Sequence, residues 1–461
     1  LATQWWAGIL PNPTASLRLT PSGEVAVAVI AKSHRVAPEA ARKVVLAFSG
    51  GLDSTVLVSV LRENYGYEVI TTYVHVGEGS TDAAEIESLR RQAMQAGACE
   101  FHFLDARERF VEKILVPSMQ ANALYQGRYP LASALSRIVI MEGVVELAKR
   151  RGAMAIAHGA SGKGNDQVRF DLCARALDPS LRIIAPQRER YMSRNAALEY
   201  AAARNIRIPS RSRGPYSIDT NLWGRSVQGG DLEFIDRAPP DSVWEITVDP
   251  VKAPDTPQEV VIRFESGVPV AVDGEAMSLV PLIGRVNALA ASHGVGRIDL
   301  LEDRVSGIKS REIYEAPGAI ALIEAHRDLE ATVIDRHLRA FKQNVDHTFS
   351  GLVYDGLWHS PLRDALQAFG ETVQPYVTGE VRLRFFKGHL TVIGRSSPFA
   401  LYDKGLATYG IGDRFNHRAA EGWTHLEALP LGMFRTMHPM ARPEPLPQLF
   451  DSTQIAKSES E

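Results

Sequence analysis

The chain reads as an α/β protein, a doubly wound parallel sheet followed by a second domain of α+β character. Three observations predict this. From Lys43 onward, apolar runs of strand length alternate with segments of helical period, the pattern of a parallel sheet wrapped by helices. The first such run, Val44-Val45-Leu46, ends in a glycine pair that leads straight into a helical pattern. Around residues 209–215 the alternation gives way to hairpin-like pairs and amphipathic helices, and the domain boundary is placed there.

Residues 1–36 carry Trp5-Trp6 and several prolines without a sustained period, and read as an N-terminal extension. After the first strand come Ala47-Phe48-Ser49-Gly50-Gly51-Leu52-Asp53-Ser54-Thr55 and a helix that gathers Val56, Leu57, Val60 and Leu61 on one face. A second strand is expected at 68–76. An Asp82-x-x-Glu85 capping box opens the next helix and Gly97 closes it. A third strand at 99–104, helical stretches at 107–124 and 134–150, and strands at 153–157 and 182–185 complete a domain of residues 37–210. In the second domain, 211–415, strands at 260–264 and 268–272 flank Glu265-Ser266-Gly267. A hairpin pairs 380–386 with 390–394 through Lys387-Gly388, and helices are expected at 279–291, 320–330 and 336–351. Residues 416–461 form a C-terminal segment whose extreme end, Ser458-Glu459-Ser460-Glu461, is expected to be disordered.

A length of 461 residues leaves room for two or three domains and a large core. The formal net charge of −3 gives no electrostatic reason to expect a nucleic-acid partner. The two cysteines, Cys99 and Cys173, show no metal-ligand spacing and no disulfide framework, and both fall on predicted core elements. That usage fits a reducing, cytoplasmic location. The longest apolar run near the N-terminus, residues 25–31, is far too short to span a bilayer, so no membrane partner is expected. No metal site built from protein ligands alone is read from the sequence.

Chemistry concentrates in two loops. Adjacent glycines between strand and helix let the chain turn sharply and let a ligand approach the main chain. The helix start presents unpaired N–H groups and partial positive charge, and Ser49, Ser54 and Thr55 add hydroxyls, which together make an anion cradle. It is not a Walker A loop, because the lysine of that motif is missing. Asp53 suits either a cation ligand or a helix cap. The second loop, after the fourth strand, is His158-Gly159-Ala160-Ser161-Gly162-Lys163-Gly164-Asn165-Asp166-Gln167-Val168-Arg169-Phe170. Ligands of such sheets bind beyond the carboxyl ends of the strands, so the loops starting at Ser49, Gly77 and His158 should face one cleft.

The S-G-G-x-D-S pattern resembles the pyrophosphate loop of ATP pyrophosphatases, which split ATP between the α and β phosphates. Joined to the His158–Phe170 loop, it resembles the argininosuccinate synthase family. Further motifs add to the likeness: Ala123-Leu124-Tyr125-x-x-Arg128-Tyr129-Pro130-Leu131, Pro215-Tyr216-Ser217-Ile218-Asp219-x-Asn221-Leu222-Trp223, His293-Gly294-Val295-Gly296-Arg297-Ile298-Asp299 and Lys309-Ser310-Arg311-x-x-Tyr314-Glu315-x-Pro317. The match runs from about Lys43 to Tyr409. It implies an adenine nucleotide alpha hydrolase-like nucleotide domain and a synthetase and multimerisation domain. The implied activity is an ATP-dependent ligase that joins citrulline to aspartate through citrullyl-AMP, with Mg²⁺, commonly as a homotetramer whose C-terminal region reaches across subunits.

The resemblance also implies roles. Ala47, Ser49, Gly50, Gly51, Asp53, Ser54 and Thr55 would hold the nucleotide's phosphates, with Val74 and Gly159 as further nucleotide contacts. Citrulline would meet Tyr129, Ser133, Asn165, Arg169, Ser217, Ser226, Glu302 and Tyr314. Aspartate would meet Ser161, Asn165 and Asp166. Asp53, Asp166 and Lys163 are the catalytic candidates, Asp166 to orient or deprotonate the aspartate amine and Lys163 to stabilise charge. The chain departs from the family's usual residue at Glu78, Ala132, Ile138, Gln187, Thr220 and Gln228, of which Glu78 and Thr220 change charge near the cleft. Two other readings therefore accompany the first: an adenylating ligase acting on another ureido or carbamoyl compound, and a binding or regulatory homologue without catalysis.

Overall fold

The computed structural model describes residues 42–79, 81–209 and 214–438. The extension at 1–36 and the extreme C-terminal end lie outside the described residues. Strands β1 (Lys43–Ala47), β2 (Glu68–His75), β3 (Glu100–Asp105), β4 (Ala155–Ala157) and β5 (Arg182–Ile184) pair in parallel, in the order β3-β2-β1-β4-β5. Consecutive side chains of a strand point to opposite faces, so a strand covered on both sides needs an unbroken apolar run. In β1, Val45 joins one core with Ile70 and Ile156, while Val44 and Leu46 join the other with Val69 and Ala155. The Ala132–Arg151 helix covers the first face, and the Leu52–Tyr65 and Ala83–Ala96 helices cover the second. Asp82 caps the last of these by accepting from the Glu85 amide at 2.8 Å, and Gly97 ends it in a left-handed conformation.

Two expectations need correction. The helical stretch at 107–124 is broken into Arg107–Phe110, a π-turn at Val111–Leu115 and Val116–Gln120, and it ends in turns. Cys99 is not a core residue: β3 starts at Glu100, so Cys99 lies on the exposed approach to the strand, whereas Cys173 is buried; both thiols are free.

The second part contains β6 (Ser217–Asn221), β7 (Gly224–Gln228), β8 (Gln258–Glu265), β9 (Val268–Val272), β10 (Glu275–Ala276), β11 (Arg297–Asp303), β12 (Lys309–Glu315), β13 (Gly379–Phe386) and β14 (His389–Ser396). They form two antiparallel sheets, β10-β9-β8-β13-β14 and β11-β12-β7-β6. The expected hairpins belong to the first. The second was not anticipated as a sheet, because β6, β7 and β12 carry few apolar residues and the alternation of Ile298 and Leu300 on β11 stops at Leu301-Glu302-Asp303. Helices Leu279–Ser292, Pro317–Val333 and Arg336–Tyr354 correspond to the three expected there.

The two parts interlock. Trp223 donates its indole N–H to the Pro130 carbonyl at 2.9 Å, and Asn221 donates to the Ala132 carbonyl at 3.0 Å. Lys342, almost fully buried, pairs with Glu330 at 2.9 Å and Asp346 at 2.8 Å, while Asn122 from the first part donates to both acids. A charge at that depth is tolerable only because it is paired on two sides. At the far end the His417–Met437 helix contains Pro430 and buries none of its residues, leaving Trp423, Leu426, Met433, Phe434 and Met437 exposed.

Candidate active site

The strand order reverses between β1 and β4, and that switch point sets the Ser49 loop beside the His158 loop. In the first loop Gly50 has φ +70°, and a Cβ there would meet Leu89 Cδ2 at 2.5 Å. Gln92 holds the turn from outside, donating to the Gly50 carbonyl at 2.9 Å and to Thr55 Oγ1 at 2.8 Å. Ser54 Oγ accepts from the Ser49 amide at 3.2 Å and lies 3.0 Å from Ser49 Oγ. The helix N-cap is Gly51, with no side-chain cap, so Asp53 is not the capping residue. Asp53 lies in the first turn with part of its surface open to solvent, and its side chain makes no hydrogen bond or ion pair among the described residues. Desolvation by the surrounding protein raises its pKa, opposed by the Arg194 guanidinium. Gly159 faces this turn, where a Cβ would meet Leu57 Cδ1 at 2.9 Å and Asp53 Cβ at 3.8 Å. Val74 packs its side chain in the core against Gly143. Ala47 ends β1, half-buried.

The second loop runs into the Asp166–Leu177 helix, which presents Asp166 and, one turn on, Arg169. Arg137, from the Ala132–Arg151 helix, bonds Asp166 at 2.9 Å and Asp219 at 3.1 Å, and Arg169 Nη1 bonds the other oxygen of Asp166 at 3.0 Å. Burial would raise the Asp166 carboxyl, but Arg137 and Arg169 overcome it and hold the group below the usual carboxylate value. Arg169 is buried, its Nε donates to the Tyr354 carbonyl at 2.9 Å, and its Nη2 is buried with no partner among the described residues. Ser161 and Lys163 are exposed, and the Lys163 ammonium has no partner among the described residues, although its carbonyl accepts from Arg304 at 3.3 Å.

Facing these loops is the polar side of the β11-β12-β7-β6 sheet. Ser226 stands opposite Tyr314 and Asp219, Ser217 opposite Gln228, and Glu302 opposite Ser310, so Ser217, Ser226, Glu302 and Tyr314 share one face. Val227 and Ile313 occupy the reverse face in a small apolar core. Glu302 is buried and receives Tyr314 OH at 2.5 Å, Tyr354 OH at 2.8 Å and Asn165 Nδ2 at 3.3 Å. All three donors are neutral, and no cation pairs with Glu302 among the described residues. Tyr129 stacks on Tyr314 with centroids 3.9 Å apart and accepts from the Ser133 amide at 2.9 Å, while Ser133 Oγ lies 3.1 Å from Ser226 Oγ.

One side of the cleft thus offers an anion cradle. The other offers a buried carboxylate without a cation beside a guanidinium with a spare donor, a pairing that suits a zwitterion. A separate groove of about 250 Å³ runs from Asp53 along Val56 and Val60 to Tyr65, with Gln187, Met192 and Ala197 opposite; none of the expected substrate residues lines it. Residues not singled out from sequence are Tyr354, Asp219, Arg304 and Glu312. Asp219 alternates in step with Ser217 and Glu312 with Tyr314, while Arg304 follows Glu302 by two residues just past the end of β11, and that period of two was the available signal.

Residues 43–207 match the model of the argininosuccinate synthase N-terminal HUP domain, and residues 216–434 match that of the C-terminal domain. The argininosuccinate synthase of Synechococcus sp. (strain JA-3-3Ab) is 48% identical over 399 residues, covering 86% of this chain and 98% of the relative. That of Rubrobacter xylanophilus is 48% identical over 88% of this chain and 98% of its own length, and that of Bacillus subtilis 48% over 84% and 95%. With both of its domains matched and relatives this similar over nearly their whole length, the chain belongs to the argininosuccinate synthase family.

Proposed function

We propose that this chain is an ATP-dependent carbon–nitrogen ligase that condenses citrulline with aspartate and releases AMP and pyrophosphate. The observation that carries the reading is the set of groups around the His158 loop: a phosphate cradle beside it, and a buried Arg169 nitrogen and a buried Glu302 that among the described residues have no partner and no cation. Citrulline's α-carboxylate would complete Arg169 and its ammonium would complete Glu302. The ureido oxygen would then attack the α-phosphorus of ATP while the bond to the β-phosphate bridging oxygen breaks. Ser49, Gly50, Gly51, Ser54 and Thr55 would receive the charge that builds on pyrophosphate. In the second step the aspartate amine attacks the ureido carbon, the carbon–oxygen bond to AMP breaks, and the amine loses a proton. Asp166, locked between two guanidiniums and held at a low pKa, suits orienting that amine better than accepting its proton. Much of the acceleration would come from positioning, since the ureido oxygen is a weak nucleophile.

Asp53 fits a site for Mg²⁺: its carboxylate is uncommitted beside the cradle, and Mg²⁺ is typically held by one or two carboxylates plus substrate phosphates. Bound there, the ion would neutralise phosphate charge. The nucleotide domain is assigned to 37–210, the synthetase and multimerisation domain to 211–415, and the exposed His417–Met437 helix to contacts in a cytoplasmic homotetramer. No helix among the described residues is long and apolar enough to cross a membrane. The deciding experiment incubates purified protein with ATP, Mg²⁺, citrulline and aspartate and measures pyrophosphate, AMP and argininosuccinate. Release with another ureido compound but not citrulline would change the acceptor, and silence with every acceptor would mean a binding homologue.

A further inference from the structure

Tyr354 ends the Arg336–Tyr354 helix and touches three of the groups that would grip citrulline. Its hydroxyl donates to Glu302 Oε1 at 2.8 Å and accepts from Asn165 Nδ2 at 2.8 Å. Its ring lies under Arg169, with the guanidinium carbon 4.8 Å from the centroid, and its carbonyl receives Arg169 Nε at 2.9 Å. The other face of the ring is closed by Tyr125, stacked at 3.5 Å between centroids, so the side chain is clamped. Tyr125 is itself tied down, donating to the Asp303 carbonyl at 2.7 Å, next to Glu302. The close approach depends on Gly356, at φ +80°, where a Cβ would sit 2.9 Å from Arg169 Cα.

We propose that Tyr354 is the positioning residue of the amino-acid end of the site, fixing Arg169, Glu302 and Asn165 at one spacing so that an α-carboxylate and an α-ammonium are read together. This rests on the functional reading above. The ring holds the guanidinium plane by cation–π contact and carbonyl hydrogen bond, leaving Nη2 as the free donor. The hydroxyl fixes one carboxylate oxygen of Glu302 while Tyr314 fixes the other, so the anion cannot rotate toward Arg169 and neutralise it. Without that restraint the two would pair with each other, and the zwitterion would have to break their ion pair before binding.

The test is Tyr354→Phe, which keeps the ring and removes the hydroxyl. Expected is a rise of about tenfold in the KM for citrulline with the KM for ATP unchanged, beside a modest fall in the thermal midpoint because the buried Glu302 loses one of its donors. Tyr354→Leu should raise the citrulline KM further, and if that variant fails to fold, Tyr354→Phe decides alone. An active wild type whose Tyr354→Phe variant keeps its citrulline KM within about twofold, or raises the KM for ATP equally, overturns this assignment only. A wild type inactive with citrulline overturns the functional reading, and this assignment with it.

Discussion

At Arg169, Nε goes to the Tyr354 carbonyl, Nη1 to Asp166 and the flat face to the Tyr354 ring, and Nη2 is left over. Arg169→Lys keeps the charge but loses the fork, so the citrulline KM should rise by about tenfold or more while ATP saturation holds. Unchanged citrulline saturation would remove the carboxylate assignment. Glu312 yields a stability prediction. Burial and the neighbouring Glu302 push its carboxyl up to about 7, against partial compensation by Arg304 at 2.8 Å. The folded state therefore holds a proton that the unfolded chain has already lost between about 4.5 and about 7. Its stabilising contribution is complete below that window and disappears as pH rises through it. Glu312→Gln, permanently neutral, should lose about 1–3 kcal/mol less than wild type between pH 5 and 8 in urea unfolding. Equal pH slopes would refute the shift. Arg169 was legible from its motif, whereas Tyr354 was not, because an isolated tyrosine at a helix end reads as packing. Only the turn at Gly356 brings it against Arg169.

The phosphate loop is legible at the level of the element because its geometry is local: two glycines, hydroxyls and a helix start, all within nine residues. Gly50 and Gly51 nevertheless differ. Gly50 has φ +70° and Leu89 in the way of a Cβ, whereas Gly51 is extended and would meet only Ser49 Oγ at 3.3 Å. Gly50→Ala should cost about 1–3 kcal/mol and most of the pyrophosphate release, while Gly51→Ala should leave the thermal midpoint close to wild type. Equal losses of midpoint in both variants would mean that the turn, not the left-handed residue, is critical. The four-stranded sheet was illegible for the opposite reason. Ser217-Ile218-Asp219-Thr220-Asn221 and Gly224-Arg225-Ser226-Val227-Gln228 carry few apolar residues, since one face serves the cleft and the other only a small core. Hydrophobic periodicity reads burial, and a strand whose exposed side binds ligand supplies little of it.

Over the whole molecule, the parallel sheet was readable because its central strands β1, β2 and β4 are buried almost along their length, while the docking of the domains was not, since neither polar pairs such as Asn122 with Glu330 and Asp346 nor an apolar core shared by residues of both domains has a local signature. The His417–Met437 helix leaves Trp423, Leu426, Met433 and Phe434 exposed, large apolar side chains of the kind that a contact surface covers. Removing residues 415–461 should lower the particle mass in light scattering by more than the mass of the removed segment, and a fall that matches the segment alone would place any contacts between copies elsewhere. The stack of Tyr125 on Tyr354 has its own consequence at this scale, because the two rings come from opposite sides of the domain seam. With Arg169 on one side and Glu302 on the other, a bound zwitterion acts as a removable cross-link between the two halves. Its measured affinity is then the contact energy minus the work of holding the seam shut. Loosening the seam at Lys342, which touches no substrate group, would register as weaker citrulline binding, and citrulline in turn would brace the join against heat.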